Sequence, residues 1–432
     1  MNISNQKEQK RQKNLKFLIQ LYEEKKFDEL ISETKIHLSE FSDDLNAWNA
    51  LALGYKNIGE FEKAKNIYLK IIDTNPKLDY VYSNLGNVFN DMGKIRECIS
   101  FHTKALNLNP KNINSVNGIG IALTDQGKNI EALNTYNKVL KHYPEHPDLN
   151  FNMATCLRKL DKFKEAAFHY QKSTKPLSKS FQLECLYNAK DCEIDEFYKV
   201  MDELLEAKVL NPLAACLSSH AAIRFEKEDK YSFCKEPFNF IKKINLFESE
   251  DLSDDLIDQL LQDFNSAKIT TRGQSLLKNG VQTSGNLFNL EFDSVKKLKS
   301  IIEEKIDIYR KDYELENDGF IQYWPKKYKI WGWIIVIKDG GQLLPHMHKE
   351  GWLSSSIYLK RPKKLSKNDG DIQFSLDGAN YPTNDKIFKN SITEIEKGDM
   401  VMFPSSLFHS TIPFHSKEDR VTLAFDVMEI PS

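Results

Sequence analysis

The chain has 432 residues, with 60 basic against 62 acidic side chains and a formal net charge of −2. That length calls for two or three domains, and a hydrophobic fraction of 41% with 26 Phe supplies their cores. The balanced charge leaves no electrostatic footprint for nucleic acid, so a protein or small-molecule partner is expected instead.

Met1 to Lys16 is polar and highly charged, which argues against a secretory signal, and residues 1–10 are expected as a polar tail. From there a pattern recurs every 34 residues, with copies starting at Leu45, Asp79, Ile113 and Pro147. Position 8 is small (Ala52, Gly86, Gly120, Ala154), and so is position 20 (Ala64, Cys98, Ala132, Ala166). Position 24 is large (Tyr68, His102, Tyr136, Tyr170), and proline closes three copies at Pro76, Pro110 and Pro144. A fourth proline, Pro176, is out of register, and a degenerate copy from Arg11 keeps Phe17, Leu18, Leu21, Phe27 and Leu30. Small residues let two antiparallel helices approach, large ones fill the space between them, and proline ends the second helix. His102 stands in an aromatic position and reads as a packed histidine, as do His142, His146 and His169. The pattern resembles the tetratricopeptide repeat. That resemblance implies about five helix pairs over 11–180, the first degenerate, and a concave groove holding a protein or peptide. A spacer or dimerisation arm is the plainer alternative.

Between 181 and 240 the register is lost while helical periodicity continues. A helix is expected from Ile194 to Val209 and another from Asn211-Pro212 to Phe225, together capping the open end of the solenoid. Asp229 to Pro237 is a turn-rich joint. The six cysteines (Cys98, Cys156, Cys185, Cys192, Cys216, Cys234) show no CxxC spacing and read as reduced thiols of a cytoplasmic protein. The longest strongly apolar run, Ile330 to Ile337, is too short to span a bilayer, so no membrane association is expected.

From 241 to 432 the pattern turns to short β-rich runs behind a helix over Ser294 to Tyr309. Strands are predicted at Phe320–Trp324, Ile330–Ile337, Leu353–Leu359, Asp371–Phe374, Asp399–Phe403, His409–Ile412 and Arg420–Met428. Turn signals separate them at Asp339-Gly340-Gly341, Asn368-Asp369-Gly370, Lys397-Gly398-Asp399 and Lys417-Glu418-Asp419. The fold class is therefore an N-terminal α-solenoid followed by a C-terminal double-stranded β-helix, or jelly roll.

Chemistry concentrates in the last ninety residues, with Pro345-His346-Met347-His348, Phe408-His409 and Arg420-Val421-Thr422. On a strand, residues i and i+2 face the same way, so a His-x-His aims two imidazoles at one point. A third histidine from a neighbouring strand completes a metal-binding face, and a following arginine can grip a carboxylate with paired hydrogen bonds. This points to mononuclear iron with an oxoacid co-substrate. His346, His348 and Glu350 share strand parity, so periodicity leaves the ligand choice among them open. Asp426 reads as a structural hydrogen-bond partner, His415 as an exposed loop residue, and Trp352 as a candidate wall of the substrate mouth.

Trp331–Leu359 and Gly398–Val427 resemble the 2-oxoglutarate- and Fe(II)-dependent oxygenase domain found behind tetratricopeptide repeats in bacterial proteins. The matching pieces are Gly340-Gly341, Pro345-His346-Met347-His348, Gly351-Trp352-Leu353-Ser354, Tyr358-Leu359, Phe403-Pro404-Ser405, His409 and Arg420. The resemblance implies His346, His348 and His409 as Fe(II) ligands, with Arg420, Thr422 and Tyr358 holding 2-oxoglutarate. It also implies consumption of O2 and hydroxylation, here of a protein or peptide side chain brought by the repeats. The usual ligand set of the superfamily is His-x-Asp…His, and His348 stands in the Asp place. Where the family has Gly-Val-Tyr, this chain has Ser355-Ser356-Ile357. Two other functions are compatible with the sequence: a non-catalytic scaffold with a degenerate jelly roll, and a metal enzyme that does not use 2-oxoglutarate.

Overall fold

The small residues of the repeats meet at helix crossings. Ala52, Ala64, Cys98, Ala132, Ala154 and Ala166 are all fully buried, and Tyr68, His102 and Tyr136 fill the space beside them with no exposure at all. The computed structural model describes residues 3–190, 193–231, 233–267, 269, 271–272 and 276–430, and Cys192 lies outside them. The chain divides into two compact units, 1–178 and 179–432.

The first unit is five helix pairs. They are Ile3–Glu23 with Phe27–Glu40, Leu45–Asn57 with Phe61–Thr74, Asp79–Asp91 with Ile95–Leu108, Ile113–Asp125 with Asn129–Leu140, and Pro147–Lys159 with Phe163–Gln171. The region expected as a polar tail is helical from Ile3 onward. Polar side chains start several helices: Asp44 accepts from the Asn46 and Ala47 amides, and Asn112 from the Ser115 amide. Asp44 also accepts from Arg11 Nε at 2.7 Å, which ties the degenerate first pair to the regular repeats.

The second unit opens with three helices, Ser178–Asn188, Ile194–Glu206 and Pro212–Phe225, before its sheets begin. Asn211 caps the third by accepting from the Ala214 amide at its side-chain oxygen, and its side-chain Nδ2 donates to Ser180 Oγ at 2.8 Å. Helices Asp254–Ser266 and Asp293–Asp312 follow among the first strands. The strands are β1 (Lys242–Asn245), β2 (Thr271–Arg272), β3 (Leu277–Thr283), β4 (Tyr328–Leu343), β5 (Leu353–Lys360), β6 (Ile372–Ser375), β7 (Asn390–Thr393), β8 (Asp399–Pro404), β9 (Phe408–Thr411) and β10 (Arg420–Glu429). They form an antiparallel sheet of seven, β1-β8-β5-β10-β4-β3-β2, and a second of three, β7-β6-β9. Tyr358, Val401 and Phe403 of the large sheet share a core with Ile372 and Phe374 of the small one. The two sheets are thus layers of one sandwich, an arrangement consistent with a jelly roll.

In the β domain one predicted strand and one predicted turn are corrected. Phe320–Trp324, expected as a strand, holds the short helix Gly319–Gln322, because Asp318 accepts from the Phe320 amide and caps it. The Asp339-Gly340-Gly341 signal does not end β4. Gly340 takes a left-handed φ of +66°, and pairing with β3 slips there from Lys278↔Gln342 to Gly280↔Ile337. The glycine makes a bulge inside a long strand instead of a turn.

Candidate metal centre and co-substrate cavity

The site forms where β10 lies between β4 and β5. Alternation puts Arg420, Thr422, Ala424 and Asp426 of β10 on one face, and with Trp331, Trp333 and Ile335 of β4 they line a cavity of about 700 Å³.

His346 and His348 do not sit within a strand. They occupy the extended segment after β4, while His409 lies on β9. Two backbone hydrogen bonds join the first and third: the His346 amide donates to the His409 carbonyl at 3.1 Å, and the His409 amide returns one at 2.9 Å. This isolated bridge brings the imidazoles together at tilted to edge-on angles, with ring centroids 4.2 Å apart for His346–His409, 5.2 Å for His346–His348 and 5.0 Å for His348–His409. One nitrogen from each of the three lies within 4.8 Å of the others.

The second ring nitrogen of each histidine is already committed. His346 Nδ1 meets the Leu344 carbonyl at 2.9 Å, His409 Nδ1 the Leu407 carbonyl at 3.4 Å, and His348 Nδ1 the Asp426 carboxylate at 2.6 Å. Carbonyl and carboxylate oxygens only accept, so each Nδ1 carries the proton and each Nε2 keeps a lone pair for a metal. Burial, helped by the neighbouring His348, pushes His346 down to about 4, and burial holds His409 well below its ordinary value. Both rings are therefore neutral at physiological pH, the state a metal ligand requires. Ser354 Oγ donates to Asp426 Oδ1 at 2.7 Å and adjoins Ser405 Oγ at 2.7 Å, fixing the carboxylate behind His348. Gly351 permits this packing, since a Cβ there would lie 2.7 Å from Ser405 Oγ and 3.0 Å from Asp426 Cγ. Glu350 lines the same cavity but is exposed and stands outside the three-residue cluster.

Arg420, which lines the same cavity, is 3% exposed. Its Nη1 donates to Thr422 Oγ1 at 3.0 Å, and its guanidinium lies 4.9 Å from the centre of the Tyr358 ring. Arg420 Nε and the Tyr358 hydroxyl are buried with no hydrogen-bond partner, and among the described residues Arg420 makes no salt bridge. Burial lowers the Arg420 pKa and raises that of Tyr358. A buried cation without a counter-charge is costly, and a carboxylate placed here would satisfy it.

The remaining candidates fall elsewhere. Trp352 is buried, 6% exposed, and its indole N–H donates to the Phe320 carbonyl at 2.8 Å, so it is core and not the wall of the mouth. Trp331 and Trp333 take that place. His415 is exposed, 3.1 Å from Asp339 Oδ1. Parity on β10 placed Asp426 on the cavity face as a hydrogen-bond partner without naming His348 as its mate.

These features define a class of protein: a helical-repeat arm followed by an antiparallel β domain with a three-histidine cavity. Family models give the class its name. Tetratricopeptide-repeat models match residues 45–78, 80–112 and 123–175, and the family described as "Putative 2OG-Fe(II) oxygenase" matches 332–426. The chain thus carries tetratricopeptide repeats within 45–175 and, over 332–426, a segment that matches that oxygenase family. No curated protein matches it. Among solved structures, pilF of Pseudomonas aeruginosa is 16% identical over 46% of this chain and 93% of its own, with a TM-score of 0.40. A thermophilic TPR protein of Thermus thermophilus is 18% identical over 45% of this chain and 99% of its own, with a TM-score of 0.36. Among the described residues no helix is long and apolar enough to cross a membrane.

Proposed function

We propose that this chain is an Fe(II)- and 2-oxoglutarate-dependent dioxygenase that hydroxylates a side chain of a protein or peptide recruited by the repeats. The observation that carries this reading is the shared cavity. Three histidines with free Nε2 lone pairs line it together with a buried arginine whose Nε, like the Tyr358 hydroxyl, has no hydrogen-bond partner. Fe(II) bound there would supply the redox chemistry that couples O2-dependent decarboxylation of 2-oxoglutarate to hydroxylation of a C–H bond.

The protein's own residues divide the remaining work. His346, His348 and His409 would hold the metal through Nε2. Asp426, 2.6 Å from His348 Nδ1, would orient that ring and bring negative charge close to an otherwise neutral ligand set. Arg420 would bind the far carboxylate of 2-oxoglutarate by paired hydrogen bonds, with Thr422 holding the guanidinium and Tyr358 adding a hydroxyl. The aromatic walls Trp331 and Trp333 would keep water from the reacting atoms.

The decisive experiment uses anaerobically purified full-length protein supplied with Fe(II) and 2-oxoglutarate, and measures succinate with and without O2. O2-dependent succinate that disappears in His409→Ala is the expected result. No succinate from the wild-type chain, together with unchanged iron binding in His409→Ala, would leave a non-catalytic scaffold as the function. Comparing Fe(II) affinity of Glu350→Ala with that of His348→Ala tests the ligand assignment, and loss is expected only in the latter.

A further inference from the structure

The two segments that carry the histidines are far apart in sequence, yet both are fastened to one carboxylate on a helix outside the matched oxygenase region. Glu184, on the Ser178–Asn188 helix, is 5% exposed. Lys349, the residue after His348, donates from Nζ to its two oxygens at 2.6 and 2.7 Å. The hydroxyl of Tyr381 donates to Glu184 Oε1 at 2.8 Å. Tyr381 is itself buried, and its ring packs on Phe408, the residue before His409, with centroids 5.8 Å apart. Around this point the same helices grip the 376–388 loop. Tyr187 Oη meets His220 Nδ1 at 2.5 Å, His220 Nε2 lies 3.4 Å from Asp377 Oδ1, and the His220 ring packs at a tilt against Phe388 with centroids 4.2 Å apart.

We infer that Glu184 is a positioning residue of the metal centre, holding the His346–His348 segment through Lys349 and the His409 strand through Tyr381 and Phe408. Neither histidine segment is long regular structure: the first is a loop and the second a strand of four residues, Phe408–Thr411. Such segments hold a ligand geometry only if the shell around them is fixed. Glu184 is nearly inaccessible to water, so its charge requires the Lys349 ammonium and the Tyr381 hydroxyl. Each of those donors is thereby drawn to one place. One buried carboxylate thus braces, from outside, the loop and the short strand that the His346–His409 bridge brings together. It follows that the working oxygenase unit includes the helices from residue 179 onward.

The inference rests on the oxygenase reading for the identity of the metal, while the tie itself can be measured without one. Hydrogen exchange of the metal-free, full-length chain is followed over residues 345–350 and 407–411. Glu184→Ala is expected to speed exchange in both segments by about tenfold, Lys349→Met only in the first, and Tyr381→Phe only in the second. Glu184→Gln/Lys349→Met, which leaves no buried charge behind, keeps the test valid if Glu184→Ala does not fold. It is expected to loosen the first segment while the second stays held. An anaerobic Fe(II) titration should then show about tenfold weaker binding in Glu184→Ala, the low end of what outer-shell partners contribute. Unchanged exchange in both segments overturns the inference, as does faster exchange spread evenly through residues 179–432. If the wild-type chain binds no Fe(II) while Glu184→Ala still loosens both segments, the oxygenase reading fails and the tie stands. His409→Ala should lose Fe(II) yet keep 345–350 protected.

Discussion

The repeat arm and the β domain both bury polar atoms that have no hydrogen-bond partner, and they differ in whether those atoms converge. In the arm, Tyr136 Oη and His102 Nε2 are such atoms. Each presses on a glycine: a Cβ at Gly120 would lie 2.1 Å from Tyr136 Cζ, and one at Gly118 would lie 2.1 Å from His102 Nε2. They recur at the 34-residue spacing and face backbone, so they are a by-product of packing large rings against small positions. In the β domain, Arg420 Nε and the Tyr358 hydroxyl line one cavity with three histidines. The lesson is that an orphaned polar atom points to a ligand when others of complementary chemistry share its space, and to packing when it stands alone.

The contrast can be broken or sharpened by substitution. Largest should be Arg420→Ala, which is expected to raise the 2-oxoglutarate concentration for half-maximal succinate by roughly thirtyfold to several thousandfold. That range follows from about 2–5 kcal/mol for truncating one partner of a buried charged pair. Iron affinity should hold, and an unchanged 2-oxoglutarate requirement would place the co-substrate elsewhere. Next comes acid sensitivity in the arm. Burial lowers His102 to about 4, below its value near 6.5 in an unfolded chain, so the unfolded state takes the proton first. Its contribution is complete above pH 6.5, falls between 6.5 and 4, and totals at most about 3 kcal/mol. Urea unfolding of His102→Leu across that window should show a flatter acid limb, and an identical slope would mean His102 is solvated. Gly120→Ala should destabilise the arm by about 1–3 kcal/mol, since the added methyl meets the Tyr136 ring, and unfolding midpoints will show whether the ring can move aside. Smallest is a matched pair. Tyr136→Phe and Tyr358→Phe each remove an unpaired hydroxyl and should stabilise the ligand-free chain by up to about 1 kcal/mol. Only Tyr358→Phe should weaken 2-oxoglutarate binding, by about fivefold for one hydrogen bond of about 1 kcal/mol. Equal behaviour of the two would erase the distinction between the regions.

The repeats were legible because their rule is local: a residue's position in a 34-residue period decides its neighbours. Strands β5, β8 and β10 were legible too, bounded by turn residues and rich in buried apolar groups. β1, β3 and β7 were not, since Lys242-Lys243-Ile244-Asn245 and its like become strands only by pairing with a partner already in place. Histidine spacing announced the cluster, although the geometry comes from the His346–His409 bridge and not from strand pleating. Glu184 gave no signal at all. It lies in a helix whose register matches nothing, and its meaning depends on residues 165 and 197 positions away.

Asp426 has a consequence for how such a site can change over generations. In the proposed ligand set His348 takes the place of the family's usual carboxylate, and a carboxylate stands directly behind it. His348→Asp alone, which would restore the common ligand set, would bring two like charges together in a pocket built for one. Asp426→Asn alone would leave an all-histidine set without a nearby anion. The two positions are thus coupled through charge: neither single substitution is expected to be neutral, and a change at one calls for a change at the other.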